Sequence, residues 1–441
     1  MVTGSNTTTN GQSIYDRPID VPEEWRQSAR DQGWPDGLLE RALQLRVNRK
    51  DIEYWFTTEQ ERLPDIAKFL DMRERLMFGT MRVREATWSD DEAVADLYAN
   101  SPEEIGDWEV TVERSPYPFA QFRLQENVNM QILEDRGIVL AAAAHSGRNA
   151  LIEGRRLTCH VSTAWRVRKE FRGEGLSNLL RMIGGPACAR FGLVSYWYVR
   201  HGNYDAVNWI KAVRRDLAEA SSETGDLPGL PVTVHHFRAQ RSDPSASLRT
   251  GGNATGIRQA RRSDTRRCVA LINRTHRGLD FFRPYSEAFL RQRLDDLGWG
   301  PVPDFLTPVY TWQDYFVLEE GGRIVACAGL WDRGKHVREV WRHKETGETT
   351  MIEPTALMDW GYAEGREDAM ARLLGYLIGV THELGRHELL AALEQQPALL
   401  QRMQPYEPGA ETRLMGVDTF HSEQFDIKVN VRRPYTDLAY W

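Results

Sequence analysis

The spacing of apolar residues changes along the chain, and the first region that it marks lies between residues 14 and 79. Apolar positions recur there at helical intervals, for example at 37–43 and at 63–78, a pattern typical of amphipathic helices. A proline and two glutamates stand at 22–24, where the start of a helix favours them. We therefore predict a helical N-terminal module, preceded at residues 1–13 by a polar tail that we expect to be disordered.

Between residues 80 and 239, segments in which apolar and polar residues alternate, as in strands, are followed by segments with helical spacing of apolar residues. The predicted elements are a strand at 81–86, a helix start near Ser89, strands at 129–133 and 138–145 joined by the turn 134–137, a long strand at 156–167, a helix from about Leu176, a strand at 193–199, a helix from about Tyr204 and a strand at 231–237. This alternation of strands with helices indicates a domain built on a mixed sheet.

The same order of elements returns between residues 256 and 441, after a stretch at 240–255 whose Ser, Gly, Pro and Asn content is typical of a linker. The repeated elements are a strand at 257–260, a helix start at 263, strands at 315–318 and 323–330 around the turn 319–322, a strand near 349–357, a helix at 369–384, a strand at 388–393 and a helix from about 397. The repetition predicts a tandem duplication. The expected fold class is α/β (α+β), with two tandem domains, each a twisted mixed sheet flanked by helices, after the helical module.

Composition narrows the classes of function. The 441 residues suffice for two or three domains, and 56 Lys and Arg against 63 Asp and Glu give a net charge of −7. A mildly acidic chain is a poor general binder of nucleic acid, which needs many cationic contacts. No apolar run reaches the roughly 18–20 residues of a membrane span, and the start lacks the features of a secretory signal. The four cysteines are far apart, so neither a zinc site nor a disulfide framework is indicated, and we expect a cytoplasmic protein.

One segment, residues 167–180 (VRKEFRGEGLSNLL), carries the sharpest chemical signal. A predicted strand runs into a turn with two glycines, and the turn opens a predicted helix. Successive backbone N–H groups in such a turn point at one spot, with the positive end of the helix dipole behind them. Glycines let the backbone approach a ligand closely, and Arg168 and Arg172 add positive charge. The segment is therefore a candidate site for a phosphate or a pyrophosphate.

With this motif the sequence resembles the GNAT N-acyltransferases, whose signature Arg/Gln-x-x-Gly-x-Gly/Ala follows a central strand and binds the pyrophosphate of acetyl-CoA. Here the signature stands at residues 172–177, with Ser177 in the final small position, and Asn203 follows the next strand as an Asn does in the family. The order of the flanking elements also matches. The resemblance implies an acyl-CoA co-substrate, acetyl-CoA or another, bound by the following residues: Val167, Arg168, Arg172, Gly173, Glu174, Gly175, Leu176, Ser177 and Asn203.

The second half of the chain resembles a degenerate copy of the first. Residues 366–371 (REDAMA) stand in the motif position, where the central glycine is replaced and two acidic residues would repel a phosphate. Gln395 takes the place of Asn203. The resemblance thus implies that the first domain, residues 80–239, binds CoA, and that the second domain, residues 256–441, is degenerate.

The resemblance also implies direct transfer of the acyl group to an amine, which needs a base and, in many members, a tyrosine that protonates the leaving thiolate. Ile210 occupies the position of that tyrosine, so the role passes to Tyr196, Tyr198 or Tyr204, each of which also fits a packing role. His160 on the presumed central strand is the candidate base, because histidine titrates near neutral pH. The alternative for His160 is a buried, hydrogen-bonded histidine of the core.

Four carboxylates are further candidates for substrate binding. Glu109 and Glu113 lie in the segment where members of the family bind the acceptor, although a solvated charged face also accounts for them. Glu353 and Asp359 flank the corresponding strand of the second domain. They could bind an amine if that domain completes the acceptor pocket.

Three functions stay open on these residues. The first is an acyl-CoA-dependent N-acyltransferase of the GNAT type, which uses acetyl-CoA and a small-molecule amine or a protein amine. The second, motivated by Ile210, is altered chemistry on an acyl-CoA, as in a decarboxylase or a thioesterase. The third is a non-catalytic module that senses CoA or binds a partner. We expect the first, with no metal, no nucleic acid and no membrane partner, and with a homodimer left open.

Overall fold

A computed structural model describes most of the chain. The described residues are 21–45, 47, 52, 56, 63–114, 118–177, 179–180, 194–200, 202–203, 206, 230–240, 256–295, 308–419 and 431–440. The predicted tail 1–13, the helix expected from Tyr204 and nearly all of the predicted linker 240–255 lie outside these residues. The predicted domain boundaries stay predictions.

Most of the helices lie in segments that the sequence predicts to be helical. The helices are α1 (Glu23–Asp31), α2 (Leu38–Gln44), α3 (Leu63–Phe78), α4 (Asp91–Ala99), α5 (Thr265–Thr275), α6 (Glu287–Leu294), α7 (Glu367–Glu383) and α8 (Pro397–Met403). Helix α6 was not predicted. The predicted helices at 369–384 and from about 397 are confirmed as α7 and α8. In the part of the chain that the structure describes, no helix has both the length and the apolar character needed to cross a membrane.

The strands include several that the sequence pattern did not indicate. They are β1 (Met81–Glu85), β2 (Glu103–Ile105), β3 (Trp108–Arg114), β4 (Val128–Asp135), β5 (Ile138–Ile152), β6 (Arg155–Val167), β7 (Val194–Arg200), β8 (Leu230–Arg238), β9 (Ile257–Gln259), β10 (Tyr315–Glu320), β11 (Arg323–Trp331), β12 (Val337–His343), β13 (Thr349–Ile352), β14 (Pro354–Tyr362), β15 (Glu388–Ala391) and β16 (Gly409–Thr419). The mixture of helices with a mixed sheet confirms the predicted fold class.

The chain divides into two compact units. The first unit comprises Met1–Glu85, Gln131–Ala142 and Val167–Gly185, and the second comprises Ala86–Met130, Ala143–Arg166 and Pro186–Trp441. The candidate anion loop therefore belongs to the first unit. The predicted second domain, residues 256–441, belongs to the second unit.

In the first unit, the helices bury apolar faces and β1 forms an antiparallel pair with β4. Leu39 and Ala42 of α2 and Leu70 of α3 are buried, and burial of such side chains is the main stabilising term of a small module. The register of the strand pair runs from Met81 opposite Asp135 to Glu85 opposite Gln131. Asp135 also accepts hydrogen bonds from Arg75 and Thr80, which fastens the end of α3 to this pair.

In the second unit, the described strands form one mixed sheet in the order β5-β6-β7-β16-β8-β15-β14-β11-β10-β9. The pairs β6–β7 and β14–β15 are parallel. Strand β16, from the end of the chain, lies between β7 and β8 and is antiparallel to both, with Arg413 opposite Arg200 on one side and Val232 on the other. The last part of the second half thus completes the sheet of the first half.

A second sheet, in the order β13-β12-β3-β2, was not predicted. The prediction of a single strand near 349–357 is wrong, because the chain forms two strands there, one on either side of Glu353. The N–H of Glu353 donates to Nδ1 of His387 rather than to a strand, and Pro354 has no N–H for a ladder. As a result β13 pairs with β12, whereas β14 pairs with β11 and β15.

Matching details recur in the two halves of the chain. Ala164 in β6 and Asp359 in β14 both have positive φ, 57° and 48°, and each lies three residues before the end of its strand. The carboxylates of Asp90 and Asp264 each accept the backbone N–H three residues earlier. These correspondences are those expected of the tandem duplication, which stays a prediction.

Candidate functional site

The loop after β6 has the backbone shape that the sequence predicts for an anion site. Lys169–Phe171 forms a 3-10 turn, and Gly173 and Gly175 then adopt φ of 79° and 80°, in the left-handed region that favours glycine. The chain becomes helical at Leu176, where the N–H of Leu179 donates to the carbonyl of Gly175 at 3.1 Å. The first N–H groups of an α-helix have no acceptor within the helix, so this turn can offer them to a ligand.

The side chain of Arg168 fixes this loop to a neighbouring strand. The N–H of Arg168 donates to the carbonyl of Leu140 at 2.9 Å, and its Nε donates to the carbonyl of Val139 at 3.2 Å. Arg172 and Glu174 are half-buried. Arg168 therefore anchors the loop on β5, and this contact takes up one of the donors that the sequence assigned to a phosphate.

In the second unit, β6 and β7 are paired over only part of their lengths. Their parallel register runs from Cys159 opposite Val194 to Ser162 opposite Trp197. Both strands continue past this register, and β7 pairs there with β16. The two parallel strands therefore part towards their carboxyl ends.

The part of β6 beyond this register is bent at Ala164. Its φ of 57° is uncommon for a residue other than glycine, and the hydroxyl of Tyr98 donates to its carbonyl at 2.6 Å. Tyr98 is completely buried on α4. A positive φ inside a strand marks a local departure from regular strand geometry, and such departures are frequent next to binding sites.

His160 lies in a buried chain of polar side chains. Its Nε2 is 3.0 Å from Nδ1 of His145, and its Nδ1 is 2.9 Å from Oγ of Ser195. All three side chains are buried. Burial lowers the pKa of His160 to about 4, and burial together with the neighbouring His160 lowers the pKa of His145 to about 3. Both rings are therefore neutral at pH 7, and His160 is a weak base there.

The tyrosines predicted to act as acids lie on a different face of the sheet. In the parallel register, His160 is opposite Ser195 and Val161 is opposite Tyr196, and successive residues of a strand point to opposite faces. The ring centroids of Tyr196 and Tyr198 are 5.9 Å apart, in an apolar core with Phe281. Burial raises the pKa of Tyr198 above its usual range. Tyr204 lies outside the described residues. Of the predicted acids that the structure describes, neither Tyr196 nor Tyr198 shares a face of the sheet with His160.

Asn203 and the end of β6 meet at one carboxylate. Nδ2 of Asn203 donates to Glu103 at 3.3 Å, and the guanidinium of Arg166 donates to the other oxygen of Glu103. The side-chain oxygen of Asn203 also accepts the N–H of Ala206 at 3.0 Å. Asn203 therefore ties the chain after β7 to β2.

Strand ends from both sheets build an ionic cluster around this carboxylate. We call it the arginine–glutamate cluster; it consists of Glu103, Arg166, Arg200, Glu339, Glu411 and Arg413. Arg200 donates to Glu339 at 2.8 Å and to Glu411 at 3.0 Å, and Arg413 donates to Glu411 at 2.9 Å. Arg200 is only 8% exposed. Burial raises the pKa of Glu103, but Arg166, Arg200 and Arg413 more than offset it, so the pKa lies well below its usual range.

The sequence analysis did not identify this cluster, although a signal was present. In β3 the buried positions alternate and include Val110, Val112 and Arg114, so the pattern places an arginine on an apolar face. In β12 the buried positions include Val337 and Glu339. A charged residue in phase with buried valines indicates a buried charge, which is the informative exception on an apolar face.

His236 extends the cluster through Glu411, and its charge makes stability depend on pH. Nδ1 of His236 is 2.9 Å from Glu388 and its Nε2 is 3.6 Å from Glu411. Burial lowers the pKa of His236, but hydrogen bonds to these two carboxylates outweigh burial and raise the pKa to about 9. The raised pKa means that the folded state holds this proton more tightly than the unfolded state.

We expect His236→Gln to cost stability at low pH and progressively less at high pH. The contribution of His236, on the order of 2 kcal/mol, is fully present below pH 6.5 and is lost as the pH rises through about 9. The measurement is the free energy of unfolding of wild type and variant between pH 6 and pH 10. A difference between the two proteins that stays constant over this range would contradict the assignment.

Glu109 and Glu113, predicted to bind substrate, lie on β3 opposite arginines of β12. Arg342 donates to Glu109 and Arg338 donates to Glu113. In the register of the two strands, Arg342 is opposite Glu109 and Arg338 is opposite Glu113. Cross-strand pairs of opposite charge stabilise a sheet, and both carboxylates are engaged in this way.

The motif position of the second half, residues 366–371, does not form a comparable anion loop. Arg366, in the motif position, donates to Glu320 and lies 3.8 Å from Asp368. Helix α7 starts at Glu367 with two acidic residues in its first turn, which occupy the end of the helix dipole that an anion would need. The degenerate character of this half stays a prediction, which these contacts support.

The two candidate carboxylates of the second half also have partners. Asp359 is buried, accepts the hydroxyl of Tyr285 at 2.6 Å and lies 3.3 Å from Nε of Arg293. Glu353 accepts a hydrogen bond from Arg386 at 2.8 Å. Each is therefore held by an arginine of its own half.

Comparisons with known proteins identify the fold. No protein-family model matches the sequence, and no curated protein matches it. A crystal structure of Saccharomyces cerevisiae N-myristoyltransferase with bound myristoyl-CoA matches with a TM-score of 0.54 and 9% sequence identity, and the match covers 78% of this chain and 80% of that chain. Another, with bound myristoyl-CoA and inhibitors, has a TM-score of 0.52 and 9% identity and covers 78% and 81%. The chain therefore has the fold of N-myristoyltransferase, which confirms the fold predicted from the GNAT resemblance.

Proposed function

We propose that the protein is an acyl-CoA-dependent N-acyltransferase. The observation that carries this proposal is the loop of the first unit, where Gly173 and Gly175 adopt left-handed φ at the start of a helix. Within the second unit, β6 parts from β7 after Ser162 and is bent at Ala164. The fold shared with N-myristoyltransferase, whose crystal structure holds myristoyl-CoA, supports the same assignment.

In this proposal the loop of the first unit holds the pyrophosphate of the acyl-CoA. The left-handed φ of Gly173 and Gly175 turns the backbone so that N–H groups face outward at the helix start. Arg172 contributes charge beside them. The resemblance to GNAT proteins supports acetyl-CoA as the donor, and the comparison with N-myristoyltransferase makes a longer acyl chain the natural alternative to test.

The reaction is a single displacement at the thioester carbonyl. The nitrogen of a neutral amine attacks the carbonyl carbon, the C–N bond forms and the C–S bond breaks. The products are an amide and the CoA thiol, and the proton lost by the nitrogen balances the proton gained by the sulfur. Backbone N–H groups of the bent part of β6 are suited to stabilise the oxyanion that develops on the carbonyl.

The roles of individual side chains in proton transfer stay predictions. His160 can accept a proton only weakly at neutral pH, because burial lowers its pKa to about 4. Tyr196 and Tyr198 lie in the apolar core, and Tyr204 lies outside the described residues. Water in the active site is an alternative to His160 as the proton acceptor.

We expect Gly173→Asp to abolish binding of acyl-CoA, with at least a tenfold loss of affinity. The variant places a carboxylate where the pyrophosphate would lie and strains a left-handed position, at a cost of about 1–2 kcal/mol. Gly347→Asp is the matched control, because Gly347 has φ of 71° and, like Gly173, has no atom within 4 Å of an added Cβ. The measurement is calorimetric titration of wild type and both variants with acetyl-CoA and with myristoyl-CoA.

The titration and an assay of thiol release together decide the proposal. Binding of one acyl-CoA to wild type and to Gly347→Asp, but not to Gly173→Asp, supports it, and the tighter of the two acyl-CoAs identifies the donor class. Absence of binding to wild type, or equal binding to both variants, would refute the role of this loop. Thiol release without an amine would favour the thioesterase alternative.

A further inference from the structure

Two buried arginines beside the arginine–glutamate cluster have no partner that explains them. Arg114 ends β3, and Arg333 lies in the 3-10 turn that precedes β12. They are 7% and 6% exposed. In the part of the chain that the structure describes, Nε and Nη1 of Arg114 and Nε of Arg333 are buried without a hydrogen-bond acceptor.

Arg114 is held in place by aromatic rings rather than by a carboxylate. Its guanidinium carbon lies 4.1 Å from the ring centroid of Tyr98 and 5.3 Å from that of Phe122. Tyr98 is the residue whose hydroxyl binds the carbonyl of Ala164. The guanidinium is therefore positioned on the same ring that fixes the bend in β6.

Arg333 lies among other cations. Burial, together with the nearby Arg413, Arg114 and Arg200, lowers the pKa of Arg333 to about 10, against the opposing effect of Glu339. The preceding residue, Asp332, is already bound by Arg386 at 2.7 Å. An adjacent carboxylate is thus present but is engaged elsewhere.

The carboxylates of the cluster are engaged as well. Glu103 is bound by Arg166, Glu339 by Arg200 and Glu411 by Arg413, so the three glutamates of the cluster are matched by its three arginines. Trp341 donates to the second oxygen of Glu339 at 3.2 Å. Arg114 and Arg333 therefore add two positive charges that the cluster does not neutralise.

A polar ring in the same segment of the chain is also unmatched among the described residues. His336 follows Arg333 by three residues and is 3% exposed, and neither of its ring nitrogens has a hydrogen-bond partner among the described residues. Burial lowers the pKa of His336 to about 4, so the ring is neutral and can donate one hydrogen bond. Buried donors without acceptors cost free energy, and an anionic ligand would supply the acceptors.

We propose that Arg114 and Arg333 form a binding site for an oxyanion, a carboxylate or a phosphate, carried by the amine that accepts the acyl group. Guanidinium groups bind both oxyanions through paired, charge-assisted hydrogen bonds. The inference rests on the proposed function in its assignment of the anion to the acceptor, and it makes the acceptor an anionic amine.

The position of the two arginines supports that assignment. Arg166 lies two residues after the bend at Ala164 and Arg200 is the last residue of β7, so the cluster lies where the two parallel strands part. Arg114 contacts Tyr98 on the same bend. An oxyanion bound here would hold an attached amine near the part of β6 that is suited to bind the thioester carbonyl, which favours productive orientation.

The first test measures binding of an anion and needs no acyl transfer. Thermal unfolding is followed in potassium phosphate, potassium acetate and potassium chloride at equal ionic strength. We expect phosphate or acetate to raise the Tm of wild type by on the order of 2 °C relative to chloride, and Arg333→Met to remove this increase. Arg155→Met, at an exposed arginine paired with Glu153, should retain it.

The same melts separate a binding role from a structural one. In chloride, Arg333→Met should have a Tm equal to or higher than that of wild type, because the substitution removes a buried charge that has no partner. An arginine that merely supports the fold would give a lower Tm on substitution. A lower Tm in chloride, or an anion effect that persists in Arg333→Met and Arg114→Met, overturns the inference.

The second test compares acceptors that differ only in the anion. Thiol release from acetyl-CoA is measured with β-alanine against β-alaninamide and with phosphoethanolamine against ethanolamine. We expect the anionic member of at least one pair to have a kcat/KM at least tenfold higher, and Arg114→Met to remove the difference by raising KM. Preference for the neutral members overturns the inference and leaves the proposed function intact. Failure of acyl-CoA to bind refutes the proposed function, and the anion melts still decide whether the site exists.

Discussion

Replacement of Arg200 by methionine should lower the free energy of unfolding by about 3–5 kcal/mol, because removing one partner of a buried ionic pair leaves the other charge uncompensated. Arg200 binds Glu339 at 2.8 Å and Glu411 at 3.0 Å, and its side chain is only 8% exposed. Denaturant unfolding followed by tryptophan fluorescence measures the loss.

Two further variants make this measurement specific. Arg291→Met, at an exposed arginine paired with Glu287 on α6, should change the free energy by only about 0.3–0.5 kcal/mol. The double variant Arg200→Met/Glu339→Gln should recover part of the loss, because it removes one of the two stranded carboxylates. If Arg200→Met is as mild as the exposed control, the cluster is not a buried ionic network.

The parts of the fold that the sequence predicts are those whose signals are local. The hairpin of β4 and β5 is an example, because Arg136 and Gly137 both adopt positive φ in its turn, as a two-residue hairpin turn requires. The anion loop is another, since two glycines at a fixed spacing encode its backbone directly. Helix α7 follows from its own apolar spacing.

The parts that could not be predicted depend on contacts between distant residues. Nothing in the residues of β16 indicates that this strand lies between β7 and β8, because sheet order is decided by pairing partners far away in sequence. The same holds for Arg200, which reaches Glu411 on the neighbouring strand and Glu339 on a strand of the other sheet. Each of these residues taken alone has the sequence signature of surface charge.

The candidate side chains illustrate how strongly register matters. His160 and Tyr196 were considered together as base and acid, yet the parallel register places His160 opposite Ser195. A shift of one residue would exchange the two faces, and the sequence of one strand does not specify the register. The position of Arg114 in phase with Val110 and Val112 was the signal that a period-two analysis could have used.

The second large effect is expected at Asp359, where alanine should lower the free energy of unfolding by about 3–5 kcal/mol. Its carboxylate accepts the hydroxyl of Tyr285 and lies 3.3 Å from Nε of Arg293, whose side chain is only 2% exposed. Loss of the carboxylate leaves Arg293 with Asp437 at 3.4 Å. The backbone itself should tolerate the change, because Ala164 adopts a similar positive φ in β6. Denaturant unfolding of the variant measures the loss.

Glu353→Ala provides the comparison, because Glu353 was the other carboxylate considered for amine binding and its pair with Arg386 is more exposed. Its loss should cost about 1 kcal/mol. A large effect at Asp359 with a small one at Glu353 means that Asp359 stabilises the core, since its oxygens are already occupied by Tyr285 and Arg293. Equal, small effects would instead leave the Asp359 carboxylate available, and the second half would regain its place as a candidate amine site. The contrast therefore decides whether Asp359 is a structural residue of the core or remains a candidate for amine binding.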